Sequence, residues 1–283
     1  MPADTTDGAR EEALVKASAP AEPAASQFRD ADNAEAWKSE LVIAIDGPSG
    51  SGKSSVAREV ATRLKLAYLD TGAMYRALTW WVLETGTDPQ DAEAVAEAAK
   101  SLPLELGTDP IVETVMCNGV DIREAIRSER VTAAVSAVAS NPEARKALIA
   151  QQRLEIVSNG KRIVAEGRDI TTVVAPDATV RILLTASEEV RKARRGEQLG
   201  GDRTSEQLEA DVSRRDAADS RVNNFTEAAE GVDLVDSTDL DFEQTVAEVI
   251  RVIDETAARN HEQKQQEGSG DSGTEDDEQE SGA

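Results

Sequence analysis

Gly47-Pro48-Ser49-Gly50-Ser51-Gly52-Lys53-Ser54-Ser55 combines three small flexible residues, one lysine and a run of hydroxyls in nine positions. Glycines let successive backbone N–H groups converge on phosphate oxygens, and a following helix adds the positive end of its dipole. Within Gly47-x-x-x-x-Gly52-Lys53-Ser54 the lysine reaches the outer phosphates and the Ser54 hydroxyl a Mg²⁺ ion. The ligand this predicts is a nucleoside triphosphate with magnesium, held by residues 47 to 55. The flanking elements agree. Leu41 to Ile45 are all apolar, as in a parallel strand covered on both faces. Val56, Val60 and Leu64, with Ala57 and Ala61 beside them, recur at helical spacing and give the next element one apolar face.

Two scarcities remove whole classes of chemistry. Cys117 is the only cysteine and His261 the only histidine. Intrachain disulfides, Cys/His zinc sites, thiol catalysis and Ser-His triads therefore have no raw material. Cys117 follows Val115 and Met116 and reads as a small core residue. Chemistry must come from Arg, Lys, Asp, Glu, Ser, Thr and a metal, an inventory that suits phosphoryl transfer, where catalysis is mostly positioning and charge neutralisation.

The net charge of −24 over 283 residues argues against nucleic-acid binding, which needs a basic surface. Its distribution is uneven. Residues 259 to 283 carry eight acids against Arg259 and Lys264, whereas nine Lys/Arg balance nine Asp/Glu between Arg181 and Arg221. An arginine-rich stretch in an acidic chain is a candidate for gripping an anion, although alone it fits a salt-bridged surface helix equally well. Residues 1–38 and 259–283 are polar, low in large apolar groups and expected to be disordered around a body of residues 39–258. The N-terminal segment fits neither a secretory signal nor a transit peptide, and no apolar run is long enough to span a bilayer. The expectation is a cytoplasmic monomer without nucleic-acid or membrane partners.

Alternation of strands and helices organises the body. Leu66 to Leu69 reads as a second strand ending at Asp70-Thr71-Gly72, and Met74, Leu78, Trp81 and Val82 mark a helix. Between about 101 and 122, short β-like runs at Pro103 to Gly107 and Val112 to Cys117 are punctuated by Asp109-Pro110 and Asn118-Gly119, which predicts a small antiparallel insert. Helix resumes over Ile126 to Ala139, and Asn141-Pro142 caps another running to about Val157. Arg162 to Glu166, Thr179 to Leu184 and Val232 to Val235 supply three more strands; Phe242, Val246, Val249, Ile250 and Ile253 form the stripe of a closing helix. The fold class is α/β, a doubly wound parallel sheet. Ligands gather where such strands end, so Glu166-Gly167-Arg168-Asp169 falls where chemistry is expected.

With these residues assembled, the chain resembles the bacterial cytidylate kinases, P-loop nucleoside monophosphate kinases that phosphorylate CMP and dCMP from ATP. The resemblance spans about Leu41 to Ile253. It rests on Ile45-Asp-Gly-Pro-Ser-Gly-Ser-Gly-Lys-Ser, Leu69-Asp-Thr-Gly-Ala-Met-Tyr-Arg76, Ile126-Arg-Ser-Glu, Gly167-Arg-Asp-Ile and Arg214-Arg-Asp-x-x-Asp-Ser. It implies that Arg76 and Arg168 hold the acceptor phosphate and that Thr71 lies near the nucleotide. It also implies that Ser136, Arg145 and Asp169 face the cytosine, with Arg215 and Asp219 near the ribose. Residues 191 to 205 resemble the family's mobile lid, whose Arg194 and Arg195, with Lys53 and Arg168, would offset charge on the transferred phosphoryl group. Asp169 and Glu166 are further candidates for the metal or its water shell.

The chain departs from the family pattern twice. Thr171 stands where Gly-Arg-Asp-Ile-Gly is common, and Val222 where an arginine usually follows Asp219, which leaves Arg221 or Asn223 as candidates for that role. Kinases of the same architecture acting on AMP, UMP or shikimate are the nearest alternatives. A GTPase-like switch is disfavoured, since no Asn-Lys-x-Asp guanine-reading motif occurs.

Overall fold

The computed structural model describes residues 40–198 and 227–269. Five parallel strands form the main sheet: β1 (Leu41–Asp46), β2 (Ala67–Asp70), β6 (Arg162–Gly167), β7 (Val180–Thr185) and β8 (Asp233–Asp236), in the order β2-β6-β1-β7-β8. β1 is central because it is almost wholly apolar, and alternation along it feeds both faces. Val42 and Ala44 enter one core and Ile43 and Ile45 the other. On the second face, α1 (Lys53–Leu64) and α7 (Phe242–Ser269) cover the sheet; on the first lie α2 (Thr71–Glu84), α3 (Ala92–Lys100), α4 (Glu129–Ala139) and α5 (Pro142–Ser158). The doubly wound expectation is met.

The antiparallel insert is also present, as β3 (Leu104–Leu106), β4 (Val115–Cys117) and β5 (Val120–Asp121), with Asn118 and Gly119 both at positive φ in the turn. The run expected from Val112 contributes to the strand only from Val115, because Asp109 draws Ile111 N–H and Val112 N–H into a turn. Its carboxylate occupies the donors a strand would need. Helix over Ile126 to Ala139 divides into a 3₁₀ turn at Ala125–Arg127 and then α4, since Ser128 is extended and caps Val131 N–H. Asn141 caps α5 through Glu143 and Ala144 N–H, with Pro142 at the first position. The closing helix continues to Ser269, past the expected boundary at 258. Between Val235 and Val246, the Asp236 and Asp241 side chains cap the turn that leads into it.

Strand register collects the chemistry at one edge. Ile45 and Asp70 both pair with Glu166, and Asp46 with Gly167. Three acids, Asp46, Asp70 and Glu166, thus lie at or one residue before the ends of three adjacent strands beside the phosphate-binding loop.

Candidate active site

The loop between β1 and α1 has the conformation its glycines allow. Gly50 and Gly52 sit at φ 78° and 86°, and a Cβ at Gly50 would strike the Arg191 carbonyl oxygen. At Gly47 a Cβ would collide with the Leu184 carbonyl, so the loop rests against the end of β7. The helices α2 to α5 each have a side-chain cap, whereas α1 has none. Its first N–H groups are left for an anion. Ser51 adds a buried hydroxyl without a hydrogen-bond partner among the described residues. Pro48 and Ser49 are buried in the loop, and Ser55 is exposed on the first turn of α1.

Glu166 is the centre of the junction. It is 2% exposed, accepts from Ser54 Oγ at 2.6 Å and lies 3.8 Å from Lys53 Nζ. Burial, with help from the Asp70 charge, pushes its pKa up to about 7 against the opposing pull of Lys53, Ser54 and Arg168. Ser54 and Glu166 present hard oxygens of the kind Mg²⁺ selects when phosphates complete its shell, so the donor set fits that ion. Among the described residues no cluster of three or more acidic, His or Cys side chains could hold a metal by itself. Thr71, expected near the nucleotide, donates its hydroxyl to the Glu166 carbonyl at 2.8 Å and so ties β2 to β6.

Four arginines converge nearby. Arg76 has its pKa lowered by burial and by repulsion from Arg195, Arg127 and Arg168, with Asp70 opposing. Its contacts to Ile126 O and Thr132 Oγ1 are long, 3.4 and 3.5 Å. Like charges gathered at a buried position favour an anion beside them, and a phosphate is the group that guanidinium forks hold best. Arg168 donates to the Gly47 carbonyl, which joins this cluster to the phosphate loop. Arg127 lies within a motif noted above but was given no role there; it pairs with Glu113 of the insert.

Arg145 and Asp169 form an ion pair that is mostly withdrawn from water, at side-chain exposures of 15% and 5%. Ser136 is half-buried on α4. Arg194 and Arg195 both lie on α6 (Glu188–Gln198), the start of the expected lid. Arg194 is committed to Ser51 O, Ser237 Oγ and O, and Leu240 O, an anchoring set that the sequence did not suggest. Arg191, which the motifs did not single out, donates to Ser49 O at 3.0 Å and braces the loop from the same helix. The positions Arg215, Asp219 and Arg221, Val222 and Asn223, and the lid beyond Gln198, lie outside the described residues.

Asp46 was quoted only as part of a motif, yet it organises the turn beyond β6. Its carboxylate accepts Ile170 N–H at 2.9 Å, and Thr171 N–H and Oγ1–H at 2.8 and 2.6 Å. Thr171 is helical rather than at positive φ, so the turn has no need of the glycine found elsewhere.

A glycine loop feeding an uncapped helix, a lysine and serine against a buried acid, and a cluster of arginines beside them define a P-loop phosphotransferase. Residues 43–255 match the family described as Cytidylate kinase. A cytidylate kinase of Nocardia farcinica is 49% identical over 219 residues, covering 75% of this chain and 93% of that protein. One from Cutibacterium acnes is 48% identical, covering 76% and 96%. The chain belongs to the cytidylate kinase family and is a kinase.

Proposed function

We propose that this protein transfers the γ-phosphoryl group of ATP to CMP, and to dCMP, giving ADP and the corresponding diphosphate. The observation that carries the reading is the pair of adjoining anion sites: the uncapped α1 terminus with Lys53, and the cluster of Arg76, Arg127, Arg168 and Arg195, where burial first and then the neighbouring guanidinium charges lower the Arg76 pKa. The loop amides and Lys53 hold the triphosphate; Arg76 and Arg168 hold the acceptor phosphate in line with it. Arg168 also touches the loop at Gly47, so it is placed to follow charge onto the transferred oxygens, with Arg195 from the lid side. Arg194 serves by fixing α6 to the loop and not by touching phosphate.

Ser54, with Glu166 behind it, would hold Mg²⁺, which when bound neutralises charge across the bridging phosphates. No general base is needed, because the acceptor is already an anion. Arg145, Asp169 and Ser136 read the pyrimidine edge, and Arg215, Asp219 and Arg221 complete the acceptor site. The protein works as a cytoplasmic monomer. A coupled ADP-release assay against CMP, dCMP, UMP, AMP, GMP and shikimate tests reaction and acceptor together. CMP and dCMP should lead clearly; a better rate with AMP or shikimate overturns the acceptor assignment.

A further inference from the structure

The buried stripe of α5 is Ala144, Leu148, Gln152 and Ile156, at spacings of four, so Gln152 occupies a core position between two large aliphatic neighbours. It is fully buried, and neither Nε2 nor Oε1 has a hydrogen-bond partner; the Tyr75 hydroxyl is in the same condition. An apolar side chain of similar size would avoid that loss, so the amide is retained at a cost to the fold. Tyr75 borders the Arg145–Asp169 pair, and Gln152 lies beside Tyr75. The Arg145 guanidinium lies 6.0 Å from the centre of the Tyr75 ring. Burial first, then the Asp169 charge, pushes the Tyr75 pKa up to about 12, while Arg145 and the nearby Gln152 amide oppose the rise. Tyr75 therefore remains an O–H donor throughout the working pH range. The amide approaches the phenol closely enough to act on it as a marginal hydrogen bond, yet the contact falls short of full hydrogen-bond geometry.

We propose that Gln152 and Tyr75 are positioning residues for the base-reading pair: when Arg145 and Asp169 engage the pyrimidine, the Tyr75 hydroxyl and the Gln152 amide close into hydrogen bonds behind them. This rests on the cytidylate reading above. Free protein carries the unpaired groups, and the correct base recovers their bonds. A base whose edge fails to draw Arg145 and Asp169 into place recovers nothing, so the pair deepens selectivity without touching the ligand. The hydroxyl is carried by α2 and the amide by α5, two helices that pack against each other.

Gln152→Met removes the amide while keeping length and volume, and Tyr75→Phe removes the hydroxyl. The expected result for each is a KM for CMP raised about five- to tenfold and a CMP-to-UMP preference reduced about tenfold, the size of one or two lost buried hydrogen bonds. KM for ATP should stay within about twofold, and the melting temperature of the Gln152→Met protein should be unchanged or higher, since an unpaired buried amide has been removed. A purely structural role predicts the reverse, a lower melting temperature with an unchanged CMP-to-UMP ratio, and that result overturns the inference. Should Gln152→Met fail to fold, Tyr75→Phe decides on the same ratio. Wild-type protein without a CMP preference overturns the cytidylate reading and this inference with it; a wild-type preference that both variants keep overturns this inference alone.

Discussion

Replacing Thr171 by valine tests the turn that carries Asp169. The change keeps the branched shape and deletes one hydroxyl, whose 2.6 Å bond to the Asp46 carboxylate is made at a site where Asp46 is 2% and Thr171 4% exposed. A buried hydrogen bond to a charged group contributes about 1.5–3 kcal/mol, so the expected loss at pH 8 is about 2 kcal/mol, or roughly 4–8 °C in Tm for a body of this size. Asp46 also gives the effect a pH signature. Its pKa is raised by burial, with a contribution from Asp169, and is held back by Thr171 O–H, Thr171 N–H and Ile170 N–H. Because the folded pKa lies above the unfolded value of 3.8, the folded state takes up the proton first, and this group's contribution to stability falls as pH rises through that window. Deleting the hydroxyl lifts the folded pKa further. The gap between variant and wild type is therefore full above both folded values and closes as pH falls through them. Urea unfolding followed by tryptophan fluorescence across a pH series measures this directly. A valine variant as stable as wild type at pH 8, or a gap that widens on acidification, would refute the reasoning.

Lys53→Ala should lower kcat/KM by about 10²-fold or more with the fold intact, checked by the coupled assay beside circular dichroism; near-normal turnover removes the assigned triphosphate site. Gly50→Ala forces a side chain at φ 78° against the Arg191 carbonyl, so it should cost at least about 1–2 kcal/mol and raise KM for ATP several-fold. Arg145→Gln breaks the ion pair with Asp169 and should reduce the preference for CMP over UMP, about tenfold or more, while ATP binding is kept. Ending the chain after Asn260 retains the Thr256 and Arg259 contacts to Asp233, so Tm should change by no more than about 2 °C; a larger fall would show that later residues dock on the body.

Local pattern made the main fold legible. The apolar run at Leu41 to Ile45, the Asn141-Pro142 cap and the Asn118-Gly119 turn act through neighbours in the chain, and each element lies where its residues indicate. Helix α3 went unremarked because it is short and alanine-rich, though Asp91 caps it. The motif residues were legible too, but not their division of labour. Arg194 and Arg195 are adjacent and chemically identical in sequence; Arg194 becomes an anchor only because Ser237 and Leu240, more than 40 residues away, bring carbonyls to it.

By itself the sequence determined the ligand class and the strand-to-loop-to-helix order, because phosphate binding by backbone N–H depends on glycines at fixed short spacing. Parallel register, by contrast, is a property of strands far apart in the chain. Only the tertiary structure could set Glu166 beside Lys53 and Ser54, 112 residues from the latter, and bury it so that ionisation is opposed. Burial likewise decided that Asp46 serves the turn at Thr171, and that Gln152, one polar residue among many on a long helix, lies in the core beside Tyr75. Desolvation and long-range pairing depend on what surrounds a residue, and that is known only once the chain has folded.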